Sequence, residues 1–137
     1  MTNKLIMKRI SFVLMLLLLA TTMVGQVTRV RAYSCATAEY SVTNKDFVWK
    51  ENKDCSVLGI IGDYTINIYA QQPLSLSKVA ADSIRTVNGV DCISYQCVDN
   101  EGIACGAIIC IDRNRKFTIF VKYADYIFAY YCTEEML

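Results

Sequence analysis

Hydrophobic and polar residues alternate along much of this chain. In "YTINIYA", Tyr64, Ile66 and Ile68 fall on one side and Thr65, Asn67 and Tyr69 on the other, a period of two carried by β-branched and aromatic residues. "KFTIFVKY" repeats the pattern, with Phe117, Ile119, Val121 and Tyr123 on one face. "YIFAYYC" follows a short turn at Ala124–Asp125 and sets Tyr126, Phe128 and Tyr130 against Ile127, Ala129 and Tyr131. Upstream, "DFVWKE" and "CSVLGIIG" read as strands joined by the polar "NKD", and Gly62–Asp63 marks another turn. The single proline, Pro73 in "QQPLS", marks a break. After it, "SLSKVAADSI" is the one stretch compatible with a short helix, near 75–84, with Ser75 or Ser77 available as N-cap. Residues 26–38 read as an N-terminal arm, leaving 39–137 as a single β domain. Short strands joined by turns at regular spacing predict an all-β fold, an antiparallel sandwich or small barrel of about six to eight strands.

The segment "CISYQCVDNEGIACGAIIC" holds four of the seven cysteines between Cys92 and Cys110. At its centre, Asp99-Asn100-Glu101-Gly102 has Asp at the first position and Gly at the fourth, as a type I turn requires. Between two β runs this predicts a three-residue hairpin loop with Gly102 left-handed in a bulge. Asp99 then opposes Ile103, Cys97 opposes Cys105, and Cys92 opposes Cys110. One face carries Cys97/Cys105, Tyr95/Ala107 and Ile93/Ile109, apolar and pairing large with small. The other carries Val98/Ala104, Gln96/Gly106, Ser94/Ile108 and Cys92/Cys110 and is mixed. A one-residue slip would lose both cysteine matches. Cys92/Cys110 falls at a non-hydrogen-bonded position, where side chains approach more closely. That favours a direct disulfide there, with a loop-closure stabilisation of roughly 3 kcal/mol. Cys97/Cys105 reads either as a strained disulfide or, preferably, as two buried thiols that behave as small hydrophobes.

The same cysteines argue against metal and dithiol chemistry. Their C-x4-C, C-x7-C and C-x4-C spacings are not the close knuckles of zinc sites, and the chain has no histidine. No C-x-x-C pair is present. Absence of histidine also removes the commonest general base and the Ser-His and Cys-His nucleophile arrangements. A carboxylate pair remains available for glycoside chemistry. Yet Asp63, Asp91, Asp99, Glu101, Asp112 and Asp125 mostly fall at predicted turns, where Asp usually caps its own backbone. "DNEG" lacks the further oxygen ligands of a calcium loop, no Gly-rich phosphate loop occurs, and no motif implies a cofactor.

Targeting and charge narrow the setting. Lys4, Lys8 and Arg9 precede the apolar run "ISFVLMLLLLA", which together with "TTMVGQ" reads as a signal peptide, residues 1–25, cleaved near Gly25. An uncleaved anchor is the alternative, although the run is short against the roughly 20 apolar residues of a span. Lipid attachment at Cys35 is disfavoured because "RAYSC" lies far beyond the apolar run. The expectation is a secreted or periplasmic protein with no stable membrane span after cleavage, in a compartment where disulfides persist. Seven cysteines leave at least one unpaired within the chain. Loss of Lys4, Lys8 and Arg9 turns the net charge of +1 into −2. No basic stripe remains, which argues against nucleic acid.

Nine tyrosines and Trp49 are the compositional oddity. If the last strand were an edge, Tyr126, Tyr130 and Tyr131 would offer an aromatic surface to a protein, peptide or glycan; in a central strand they would serve packing. Together these features imply a non-catalytic binding or interaction module. The alternatives are a small carbohydrate-active or hydrolytic domain using carboxylates, and an exported protein responding to redox state through Cys92 and Cys110.

From Phe47 onward the chain resembles a recurring type of small exported bacterial β-domain. The match consists of an early tryptophan strand (Trp49), an I-x-I-Y strand (Ile66, Ile68, Tyr69), a D-x-x-G-x-x-C hairpin (Asp99, Gly102, Cys105) and a Y-x-D turn before an aromatic last strand (Tyr123, Asp125). The resemblance implies a β fold and export; it implies no activity and no functional residue.

Overall fold

The computed structural model describes residues 27–135, so the segment read as a signal peptide lies outside the described residues. Ten strands follow one another: β1 (Thr28–Ser41), β2 (Asp46–Trp49), β3 (Lys53–Ile61), β4 (Thr65–Tyr69), β5 (Leu74–Ala81), β6 (Arg85–Val87), β7 (Val90–Val98), β8 (Ala104–Ile111), β9 (Lys116–Lys122) and β10 (Tyr126–Glu134). Every pairing is antiparallel. β2 and β3 lie end to end along the same edge of β1, and β5 and β6 do the same along β7. Each couple is thus one strand with an interruption, and the chain is an eight-stranded meander with two added pieces. β10 returns to β1, from Val30↔Glu134 to Glu39↔Tyr126, and closes the meander into a barrel. Among the described residues there is no helix, and none therefore long and apolar enough to cross a membrane.

Two expectations are corrected. The stretch near 75–84 is not helical. Leu74 and Leu76 point into the barrel while Ser75 and Ser77 point out, a period of two that continues to Lys78 before a bulge at Val79. The stretch read as an arm is most of β1, the longest strand. Its alternation is disguised because a bulge at Tyr33 shifts the register between Ala32 and Ser34. Val30 and Ala32 face inward before the bulge, and Cys35 and Thr37 face inward after it. Ala36 and Ala38 are buried on the outer face, from which Trp49 and Phe120 project to meet edge to face at 6.3 Å.

The hairpin register read from the cysteines holds throughout, from Asp91↔Ile111 to Val98↔Ala104. Asp99 N–H donates to Ile103 O at 2.9 Å, Gly102 N–H donates to Asp99 O at 3.0 Å, and Gly102 has φ +80°. Cys92 and Cys110 form a disulfide with Cα atoms 4.1 Å apart, and a second bridge joins Cys35 to Cys55 across β1 and β3.

Inside, rows of side chains run across β8, β9 and β10: Ile111, Phe117 and Cys132; then Ile109, Ile119 and Tyr130; then Ala107, Val121 and Phe128. Ile66, Ile68 and Leu76 complete this core from the opposite wall. Space is tight there, since a Cβ on Gly59 would stand 3.0 Å from Val30 Cγ2. Lys78 also faces inward. Its Nζ donates to Gly62 O at 2.7 Å and lies 4.2 Å above the Tyr95 ring. This ties the β3–β4 turn to the inner wall at that end of the barrel.

Three variants, each read by urea unfolding, check this architecture. Gly102→Ala meets no atom within 4 Å, so only the left-handed backbone resists it, and urea unfolding should show a loss of about 1 kcal/mol. Gly106→Ala, with ordinary φ and nothing nearer than Tyr95 O at 3.9 Å, should be neutral or stabilising by up to about 1 kcal/mol. Replacing Cys92 and Cys110 together by Ser removes a closure of 18 residues. The same assay should report a loss of roughly 3 kcal/mol.

Candidate functional site

The turns at 70–73, 99–103 and 124–125 gather at one end of the barrel, and that end is not filled. The reason is the distribution of side-chain size. β10 and the turn before it send Tyr123, Tyr126, Phe128 and Tyr130 inward; across β8 and β7 the row of Tyr123 and Tyr126 continues with only Cys105 and Cys97, while Tyr95 and Ile109 fill the rows beneath it. Ala70, just after β4, adds another small side chain. In that outermost row large residues on one wall face small ones on the other, and an open cavity of about 700 Å³ remains, which Asp99, Glu101 and Leu74 also line. A second hollow of about 410 Å³ lies against Thr37, Glu39, Tyr40 and Asp125 and shares Tyr126 and Phe128 with the first.

Two turns fix the geometry. The tight turn at Ala124–Asp125, closed by Tyr123 N–H to Tyr126 O at 2.9 Å, sets Tyr123 and Tyr126 side by side. Their rings stack with centroids 4.8 Å apart, and Phe128 stands edge-on to both at 5.1 and 6.4 Å. The Asp99 loop supplies the charge. Asp99 Oδ1 accepts the N–H groups of Glu101 and Ile103, each at 2.9 Å, and Oδ2 accepts the Tyr123 hydroxyl at 2.9 Å. The Ile103 N–H above all, with the Tyr123 hydroxyl and the Glu101 N–H, holds this carboxyl below the usual carboxylate range against a smaller desolvation effect. Burial first, and then the bond to Asp99, push the Tyr123 phenol well above its ordinary value, so it remains a donor. Asn100 accepts the Ser75 N–H at 3.3 Å, tying the loop to β5. The aromatic wall and the carboxylate are therefore held in place before any ligand arrives.

Three cysteines are thiols: Cys97 and Cys132 buried, Cys105 half-buried. Burial pushes Cys105 up to about 11, helped by Cys97 and Asp99 and opposed by the Tyr123 hydroxyl. Burial alone takes Cys132 to about 12. Cys97 is also raised by burial, against the pull of Lys78. All three are protonated at neutral pH, and a protonated thiol is a poor nucleophile.

Of the residues singled out in the sequence, Tyr126 and Tyr130 line the mouth. Tyr131 does not: it lies on the outer face, opposite Ser34 and Thr118. β10 is no edge, being paired on both sides. Cys92–Cys110 sits on the outer wall, away from the cavity. Asp112 caps its own loop, accepting the Asn114 and Lys116 N–H groups at 2.9 Å, at the other end of β8 from Asp99. These two carboxylates share no cleft. No metal-binding cluster of His, Cys, Asp or Glu occurs among the described residues. The sequence alone does not single out Tyr123, Phe128 or Asp99 as site residues. Their turns are visible in the sequence, but only barrel closure brings them together.

The thiol assignment has a direct test. Alkylation of the unfolded, non-reduced protein should add three groups by intact mass, and the folded protein at pH 7 should react far more slowly. A single added group would place a third disulfide at two of these positions. Comparison with protein-family models, curated proteins and solved structures finds no match to the chain, so the functional reading rests on the geometry of the mouth.

Proposed function

We propose that this chain is an exported, non-catalytic binding module that takes a small ligand into the aromatic mouth of its barrel. One observation carries the reading: an open cavity of about 700 Å³ whose aromatic wall and carboxylate are fixed in advance by turns. An eight-stranded barrel is just wide enough to be filled by side chains or to hold one small ligand. Here filling stops short of one end. Apolar walls with a few oriented polar groups are the usual make-up of a ligand pocket. Two disulfides, the apolar leader and the resemblance to small exported β-domains support export. The chemistry of the mouth favours holding over turnover. Its nearest thiol, Cys105, is protonated, and the Asp99 carboxylate, kept ionised by three donors, is not a proton donor.

The test is a fragment screen by protein-observed NMR, using a library of amines, carboxylic acids and neutral aromatic and aliphatic compounds. Shifts should cluster at Tyr123, Tyr126 and Phe128, and Phe128→Leu, which keeps apolar volume, should weaken the best fragment about tenfold. Shifts confined to the outer face near Trp49, or no binding from any class, would overturn the proposal.

A further inference from the structure

We infer that the mouth selects organic cations, small molecules carrying an ammonium or guanidinium group on an apolar body; this rests on the binding reading above and names its ligand class. The first ground is the sign of the charge. Asp99, Glu101, Glu39 and Asp125 border the two adjoining hollows, and no lysine or arginine lines either of them. Lys50 reaches Glu39 at 2.8 Å, but both side chains are largely exposed, so solvent screens that pair. Low-dielectric aromatic walls focus the remaining negative potential into the cavity.

The second ground is the rings themselves. The face of an aromatic ring attracts a cation within about 6 Å of its centroid. Tyr123 and Tyr126 stack with centroids 4.8 Å apart, and Phe128 stands at 72° and 85° to them, so rings in two orientations line the same cavity. Tyr123 donates its hydroxyl to an ionised carboxylate, and this enriches its ring in electron density.

The third ground is what the loop withholds from an anion. Three of the loop's backbone N–H groups are already committed: Glu101 and Ile103 to Asp99 Oδ1, and Gly102 to Asp99 O. Asp99 itself stays charged, because its donors orient the carboxylate without cancelling it. A cavity of about 700 Å³ is the size of a small-molecule site rather than of a protein interface.

Three probes matched in shape separate the possibilities: choline, the uncharged 3,3-dimethylbutan-1-ol and the anionic 3,3-dimethylbutanoate, each titrated by NMR into the full exported protein. Choline should bind at least about tenfold more tightly than the alcohol, and the carboxylate should not bind. Added salt should weaken choline and leave the alcohol alone. Tyr126→Leu keeps an apolar side chain while removing the ring, and should erase the difference between choline and the alcohol. Tyr131→Leu, on the outer face, should change nothing. Equal affinity of choline and alcohol at the mouth, or preference for the carboxylate, would overturn cation selectivity while leaving the binding module intact. Absence of all three probes and of every library fragment from the mouth would overturn both. A lysine-containing peptide binding far more tightly than any free amine would overturn the small-molecule assignment.

Discussion

Pairing of β1 with β10 is the constraint on which the rest of this structure depends. It joins residues about a hundred positions apart, Val30 with Glu134 and Glu39 with Tyr126, so the whole chain must be threaded before it can form. Closing so long a loop costs entropy, and topologies dominated by distant contacts fold slowly. Neither disulfide crosses this seam: one links β1 to β3 and the other β7 to β8. The Arg31–Glu135 pair at its end is partly exposed and adds little. The seam is held by its own ladder and by burial of Val30, Ala32, Tyr130 and Cys132 on its inner face. Without it, β10 would be a bare edge, its aromatic residues would face water, and the mouth would lose a wall.

The cysteines show how finely a β register sorts chemistry. Cys92/Cys110 and Cys97/Cys105 are cross-strand pairs on the same hairpin, five residues apart. That odd spacing changes both properties that matter. It moves one pair to the outer face and the other to the inner face, and it exchanges a non-hydrogen-bonded position for a hydrogen-bonded one. The outer pair is bridged with its Cα atoms 4.1 Å apart; the inner pair stays reduced. Small, one buried and the other half-buried, the inner thiols act as packing, and their smallness is part of why the mouth is open.

Much of this was legible because alternation and turn chemistry are local. "YTINIYA", "KFTIFVKY" and the D-x-x-G hairpin each declare their faces within a few residues. What failed to declare itself depended on distant partners or on irregularity. The Tyr33 bulge breaks the phase of β1, and alanines buried on both of its faces remove the contrast a reader relies on. β5 is short, and its serines fit an N-cap as well as an outer face. Asn88-Gly89 is a further local signal: it joins β6 to β7 with φ of +53° and +77°, the conformation such a pair favours in a two-residue hairpin. Interruptions at 50–52 and 82–84 conceal that two apparent pairs of strands are single ones. At the site, Tyr126 and Tyr130 followed from alternation. Tyr131 could be excluded only once the outer face was known.

Asp99 carries two requirements at once, and neither can be altered alone. Its Oδ1 caps the loop that sets the β7–β8 register, and through that register the placement of four cysteines. Its Oδ2 reaches across to a different hairpin and orients Tyr123. Asp112 does the first job identically at the other end of β8, accepting from the residues two and four positions on, with Arg115 left-handed where Gly102 is in its counterpart. The cap alone therefore needs only one carboxylate oxygen, and the loop at Asp112 does without the second contact. What sets the mouth apart is that the spare oxygen meets a phenol in a wall of aromatic rings. A turn device common to both ends of the strand becomes, at one end only, part of a site with fixed charge and shape.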